Sequence, residues 1–169
     1  MSVKGAYAAK RNGEFFEKLI DASCIHYSKQ GIAYIQKTPE PMRPVRALNR
    51  NRGQYMAVYE KKAQPDFTGT LTGGTSVVFE AKHTESPRIE FNRISSQQEL
   101  DLEAHHKLGA ITFVLLSFSD KDFYRVPYSE WINLKETIGK KSLNQTDLEP
   151  YRIINQGRLI PFLDGLVEE

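Results

Sequence analysis

Asp66, Glu80 and Lys82 are the residues here whose types and spacing could do chemistry. They lie in "PDFTGTLTGGTSVVFEAK" (65–82), an acid before a turn, then an acid and a lysine two residues apart. On a strand, side chains two apart share a face. Val78, Glu80 and Lys82 therefore point one way, and Val77, Phe79 and Ala81 the other. A solvated hairpin edge would show the same alternation. The chemical reading is metal-dependent phosphodiester hydrolysis. Mg2+ takes hard oxygen ligands and keeps several waters, so Asp66, Glu80 and the Ala81 carbonyl suffice to hold it against a substrate phosphate. The ion polarises the phosphate and eases deprotonation of water, while the Lys82 ammonium orients the nucleophile and stabilises the charge that builds up. The pattern is loose, and a second glutamate–lysine run, Glu60-Lys61-Lys62, has no aspartate at a suitable distance upstream. Context must sort them.

Residues 12–29 predict an amphipathic helix with Phe15, Phe16, Leu19, Ile20 and Tyr27 on one stripe, ended by Gly31, and "IAYIQK" (32–37) predicts a strand. Pro39, Pro41 and Pro44 rule out a helix over 38–53, and Arg43, Arg46, Arg50 and Arg52 follow closely. Residues 54–62 are again strand-like. Two strands near 66–71 and 75–82 meet at Gly73-Gly74, a hairpin signal; with no helix after it, the turn is not a phosphate loop. Residues 94–109 predict a helix with Ser96 and Glu99 as a capping box. "AITFVLLSF" (110–118) predicts a strand buried on both faces, and 122–127 another strand. "SEWINLKE" predicts a short helix capped by Ser129, and "RLIPFLDGLVEE" a final strand and helix turn. The result is a single α/β domain spanning 1–169, a mixed sheet with helices on its faces.

The net charge of +2 conceals an asymmetry: residues 1–62 carry 12 Lys/Arg against 5 Asp/Glu, and the rest 11 against 16. This predicts a polyanion-binding surface built from the first third of the chain. A lone cysteine, Cys24, excludes an internal disulfide and reads as a small core residue. No apolar run is long enough to span a bilayer, and the first residues lack a signal-peptide core, so the expectation is a cytoplasmic protein with no membrane partner. His105 and His106, adjacent on a helix, diverge by about 100° and do not share one ion. His83 should face away from Lys82. Tyr34, Tyr55 and Tyr59 lie near the basic segment and suit either base stacking or packing. Trp131 reads as core.

Pro65-Asp66…Glu80-Ala81-Lys82 matches the PD-(D/E)xK nuclease signature literally, and "NGEFFEKLI" resembles the opening helix of the resolvases in that superfamily. The chain most resembles the RecU-type Holliday junction resolvases of Gram-positive bacteria and their phages. The likeness runs in order over residues 11–131, through "GIAYIQKTPEP", "PDFTG", "VVFEAKHT" and "ISSQQELDLEAHHKLGAITFVLLSF". It implies a restriction-endonuclease-like sheet with a protruding basic stalk, here residues 38–62, that enters the junction centre. Asp66 and Glu80 become metal ligands with the Ala81 carbonyl, and Lys82 the catalytic lysine. Gln97 takes the place of the active-site glutamine and Glu17 that of the first-helix glutamate, with Glu14 as the alternative. Arg43, Arg46, Arg50, Arg52, Lys61 and Lys62 become DNA contacts. Gln64-Pro65 departs from the threonine-rich residues usual before the aspartate. The resemblance implies Mg2+, with Mn2+ as a substitute, and a homodimer cutting four-way junctions by paired nicks during recombination and repair, alongside recombinase or branch-migration proteins. Two alternatives stay open: a nuclease of this superfamily with a restriction-type or flap substrate, and a DNA-binding accessory protein without catalysis.

Overall fold

The computed structural model describes residues 3–59, 64–155, 157 and 159–166, with side chains from Gly13 onward. The chain opens with a helix, α1 (Val3–Lys29), and β1 (Ala33–Lys37). A hairpin of β2 (Met42–Asn49) and β3 (Gln54–Tyr59) follows, then β4 (Phe67–Leu71), β5 (Ser76–Thr84) and a short β6 (Arg88–Glu90). Next come α2 (Ser96–Lys107), β7 (Ile111–Phe118), β8 (Asp122–Pro127) and α3 (Tyr128–Thr137). The described chain ends through β9 (Ser142–Asn144), α4 (Gln145–Leu148) and β10 (Arg152–Ile153). Among the described residues no helix is long and apolar enough to cross a membrane.

Six strands form the main sheet in the order β1-β4-β5-β7-β8-β10. The pairs are antiparallel except β5 with β7, which are parallel because α2 carries the chain back between them. β5 and β7 therefore sit at the centre, and the apolar run expected for a doubly buried strand is β7. Each face of the sheet has its own core. On one, Phe16, Ile20, Cys24 and Tyr27 of α1 pack on Ile35, Phe67, Phe79 and Phe113. On the other, Val78, Val114, Leu116 and Val126 meet Leu102 of α2 and Trp131 of α3. Phe67, Phe79 and Phe113 are register partners on β4, β5 and β7, and their rings stack at 4.9 and 4.6 Å. A one-residue slip would break this ladder and turn every side chain to the opposite face.

β2 and β3 pair only with each other and form a separate ribbon, every residue of which is exposed apart from the half-buried Ala47. The prolines and arginines pointed to an irregular insertion over 38–53, whereas the structure makes β2 a strand from Met42 onward. Pro44 has no N–H for a ladder, and the register shifts immediately after it, between Pro44 and Arg46, as a bulge permits. At the tip the Asn49 side chain caps a short turn over Arg50–Arg52, and Gly53 takes the left-handed conformation (φ 63°) that closes it.

Four other expectations change. Phe15 is exposed, since the buried stripe of α1 runs through Phe16, Ile20, Cys24 and Tyr27. The capping box of α2 is Ser95 with Gln98, one residue before the Ser96–Glu99 pair; Glu99 instead bridges Lys135 of α3. Ser129 does not cap α3, whose N-cap is Pro127 with no side-chain bond. Among the described residues the tail has no strand beyond β10; residues 160–166 run through turns that bury Ile160, Phe162 and Leu163 against α1. Ser23 Oγ accepts from the Ile160 N–H at 2.9 Å, Tyr27 Oη accepts from the Leu163 N–H at 3.2 Å, and Arg125 donates to the Phe162 and Asp164 carbonyls at 2.8 Å. Short polar bonds do here what a strand was expected to do. The run at Glu60-Lys61-Lys62 lies outside the described residues.

Gly69 of β4 is the glycine that packing requires. A Cβ there would overlap the Tyr34 carbonyl oxygen and Ile35 Cα on β1, backbone atoms that cannot turn aside. Gly69→Ala is expected to cost about 2 kcal/mol or more, a melting temperature lower by at least about 4 °C. Gly13→Ala, where no atom lies within 4 Å of the added Cβ, should be neutral or slightly stabilising. Thermal melts of the two variants check this, and equal melting temperatures would contradict it.

Candidate active site

Asp66 sits one residue before the Phe67–Phe79 pair, so the antiparallel register sets it opposite Glu80. The Ala81 N–H donates to Asp66 Oδ2 at 3.0 Å, fixing that carboxylate to the neighbouring strand. Lys82, two residues along on the face of Glu80, places its ammonium between the two acids. Nζ is 3.0 Å from Asp66 Oδ2 and 2.8 Å from Glu80 Oε2. Side-chain exposure falls from 33% at Asp66 to 14% at Lys82 and 0% at Glu80, so the group opens to solvent chiefly at Asp66.

Helix α2 closes the inner side. Its capping box holds Gln98, whose Oε1 accepts from the Ser95 N–H at 3.1 Å, leaving Nε2 to donate to Glu80 Oε2. The glutamine touching the carboxylates is thus Gln98. Gln97, which the resemblance picks out, is exposed and donates to Asp101 Oδ1 at 3.2 Å. The signal that could have separated them is "SSQQE", which offers two capping boxes offset by one; the register of the cap decides which glutamine faces the sheet. Glu17 of α1 forms an ion pair with Lys37 at the end of β1 and does not touch the cluster directly. Burial disfavours the Lys37 ammonium, but Glu17, Asp21 and Asp66 outweigh it and hold its pKa up. Glu14 is exposed.

Two oppositely signed effects set the charges. Burial pushes the Glu80 carboxyl up, Lys82 pulls it down, and Asp66 pushes it up by charge and by a hydrogen bond to the protonated form, for a net rise from 4.5 to about 8. Burial disfavours the Lys82 ammonium as well, yet Asp66 and Glu80 prevail and raise its pKa above the usual lysine value. Lys82 is therefore a fixed cation rather than a base. Glu80 Oε1 is buried with no hydrogen-bond partner among the described residues. A buried carboxylate oxygen without a partner is costly, and a cation is the partner that suits it.

A second group of ligand atoms lies on the opposite face, where the alternation placed His83. Atoms of His83, Glu85 and Asp120 fall within 4.8 Å of one another. The imidazole already engages Glu85 through Nε2 at 3.0 Å and Asp120 through Nδ1 at 3.1 Å, and its ring lies 6.3 Å from that of Phe16. Chain separation hid this cluster, because Asp120 comes from the β7–β8 turn. His105 and His106 diverge as expected, His106 meeting Thr112 at 3.2 Å. Arg43, Arg46, Arg50 and Arg52 all lie on the exposed ribbon, away from the carboxylates in sequence and in sheet; Lys61 and Lys62 are outside the described residues.

The raised Glu80 pKa has a sign that can be measured without metal. Between about pH 4.5 and pH 8 the folded protein keeps a proton that the unfolded chain has released, so stability falls as pH rises through that window. Glu80→Gln removes the penalty. With a chelator present it should melt several degrees above the unaltered protein at pH 8, at about 2–4 °C per kcal/mol, and the gap should close toward pH 5. A gap that does not change with pH would contradict the assignment.

Comparison with known proteins gives the chain its family. Residues 11–168 match the family model described as RecU, Recombination protein U. The chain is 30% identical over 171 residues to the Holliday junction resolvase RecU of Streptococcus sanguinis (strain SK36), covering 96% of this chain and 85% of the relative. It is 33% identical over 165 residues to the Holliday junction resolvase RecU of Streptococcus pneumoniae (strain Hungary19A-6), covering 92% and 83%. A solved structure of Archaeoglobus fulgidus Hjc, a Holliday junction resolvase, superposes with a TM-score of 0.50 at 14% identity, over 80% of this chain and 91% of that one. At that identity the likeness speaks for the fold, a mixed sheet flanked by helices of the restriction-endonuclease type. With nearly the whole chain matched and its relatives alike along their length, the chain belongs to the RecU family.

Proposed function

We propose that this chain is a divalent-metal-dependent endonuclease that resolves four-way DNA junctions as a cytoplasmic homodimer. The observation that carries the reading is the convergence of Asp66, just before β4, with Glu80 and Lys82 of β5, in a chain of the RecU family. Asp66, Glu80 and the Ala81 carbonyl would hold the ion. The fit rests on Glu80 Oε1, which has no partner among the described residues, and on an all-oxygen donor set, which suits Mg2+ with Mn2+ as a substitute. When bound, the ion stabilises charge on the phosphoryl oxygens and lowers the pKa of the attacking water.

The protein's own groups do the positioning. The Ala81 N–H and the Gln98 amide each hold one carboxylate still, so the site is organised before DNA arrives. Lys82 donates to the incoming water and to the phosphate oxygen that gains charge. Water attacks phosphorus and the P–O3′ bond breaks. The departing 3′ oxygen takes up a proton, the proton lost by water passes to solvent, and a 5′-phosphate and a 3′-hydroxyl remain, ends that a ligase can join. Two subunits present two such sites with two-fold symmetry, matching the symmetry of a four-way junction, so that paired nicks separate it. Glu17 and Gln97 act one step out, Glu17 through Lys37 and Gln97 through Asp101.

The domain carries its junction specificity on the β2–β3 ribbon, the stalk of residues 38–62. Arg43, Arg46, Arg50 and Arg52 face the strands at the open centre, Lys61 and Lys62 add to the DNA contacts, and the exposed Tyr55 and Tyr59 offer surfaces for unstacked bases. Asp66→Ala and Lys82→Ala are expected to lose junction nicking by about a thousandfold, in keeping with the cost of removing one transition-state donor, while keeping metal-free junction affinity. Wild-type nicking by either would remove the site assignment. Arg50→Ala and Arg52→Ala should each lower the slope of log affinity against log salt by about one. A labelled mobile junction set against linear duplex tests substrate choice; equal cutting of both would contradict the resolvase reading.

A further inference from the structure

Pairing of β4 with β5 ends at Phe67–Phe79, so beyond Phe79 the β4 side of β5 has no strand partner among the described residues. Its backbone groups are taken up one at a time. Each residue of a strand presents its N–H and C=O to one edge, and its neighbour presents them to the other. The Thr84 carbonyl accepts from the Ser119 N–H on the β7 side at 2.9 Å, so Ala81 and His83 present theirs on the β4 side. There the Ala81 N–H meets Asp66, and the His83 carbonyl accepts from Arg93 Nη2 at 3.2 Å. The Ala81 carbonyl, proposed above as a ligand of the ion, lies on the same edge between these two contacts.

The backbone at Arg93 is firmly placed. Arg93 ends a single 3-10 turn, Phe91–Arg93, anchored by the buried Phe91 and Ile94, and the Phe91 ring meets that of Trp131 at 5.1 Å. Two residues later Ser95 caps α2, the helix that sends Gln98 to Glu80 on the face of Lys82. Arg93 itself is exposed and forms no ion pair among the described residues. The His83 carbonyl takes one of its five N–H donors, leaving four. A permanently charged planar fork on the edge of a phosphodiester-cutting site suits a phosphate in both charge and shape. The scissile phosphate is already served by the ion and Lys82. Arg93 is tied to His83, two residues past Ala81 and so about 6.6 Å further along the strand. That step is close to the one between successive phosphates of a DNA strand.

We infer that Arg93 binds the phosphate next to the scissile one on the cut strand and so fixes where that strand lies over Asp66 and Glu80. The inference rests on the nuclease reading above and adds to it an anchor separate from the stalk. A purely architectural Arg93 would tie down the His83 carbonyl and nothing more. The two roles separate when the charge is removed and a donor is kept.

Four-way junctions carrying one uncharged methylphosphonate, placed at the phosphate on either side of the cut, test it. With the unaltered protein, one of the two placements should raise KM about tenfold, as expected for loss of a charge-assisted hydrogen bond. Little change is expected in kcat, because that phosphate carries the same charge throughout the reaction. Arg93→Gln keeps a donor for the His83 carbonyl and loses the charge. On unmodified junctions it should show a similar rise in KM, and the methylphosphonate should then cost it less than about twofold. Arg93→Lys, a cation without the fork, should fall between the two. Each ratio sets modified against unmodified DNA within one variant, so a general loss of activity cancels. Where a variant cuts too slowly, the same ratio is read from junction affinity without divalent metal. A flat response at both placements in the unaltered protein, or an undiminished one in Arg93→Gln, would overturn the role of Arg93. Either result, with unmodified junctions still nicked, leaves the nuclease reading standing. If the unaltered protein nicks no DNA at all, that reading fails and takes the role of Arg93 with it.

Discussion

Three phenylalanine rings, Phe67, Phe79 and Phe113, stack across β4, β5 and β7, and the placement of the charged groups follows from their register. With Phe67 opposite Phe79, Asp66 must lie opposite Glu80, and alternation brings Lys82 to the same face. The aromatic packing on one side of the sheet thereby specifies the polar chemistry on the other. Slippage by one residue would send Glu80 into the α1 core and Phe79 to the site, a penalty large enough to hold the register.

The site then works against the fold that positions it. Glu80 is sealed from water, with one oxygen held by Lys82 and Gln98 and the other without a partner among the described residues. Lys82 offsets part of that cost, and the remainder appears as the raised Glu80 pKa. Binding a cation would remove the penalty and release a proton near neutral pH, which couples metal affinity to pH through one buried group. The central parallel pair β5–β7 and the cap of α2 supply the rigidity that such an arrangement needs, while the arginine ribbon stands apart from the main sheet and buries almost nothing. Glu80 and Lys82 sit on a central strand of the main sheet and the arginines on the least packed ribbon.

Much of this was legible in the sequence because period and alternation are strong over long elements. The helix before the motif, the buried β7 and the face shared by Glu80 and Lys82 follow from side-chain spacing alone. The ribbon was half legible: its prolines excluded a helix, but nothing on it is buried, so no alternation marked β2 as a strand. Strands of two or three residues, β6, β9 and β10, carry no period to read. "SSQQE" contained the right motif in two registers, and the packing of Leu102 against the sheet is what favours Ser95–Gln98. Contacts across long chain separations, Asp120 with His83 and Ser23 with Ile160, left no local trace. Gly69 belonged to the matched "PDFTG" stretch; its reason, the closeness of β1, is visible only with the sheet assembled.

The central claim is that Asp66 and Glu80 share one divalent ion. A crystal grown with Mn2+ and measured at the manganese absorption edge tests it most directly. The account predicts an anomalous peak bonded to both carboxylates, with the Lys82 ammonium displaced from between them. A peak held by His83, Glu85 and Asp120, with none between Asp66 and Glu80, would contradict it.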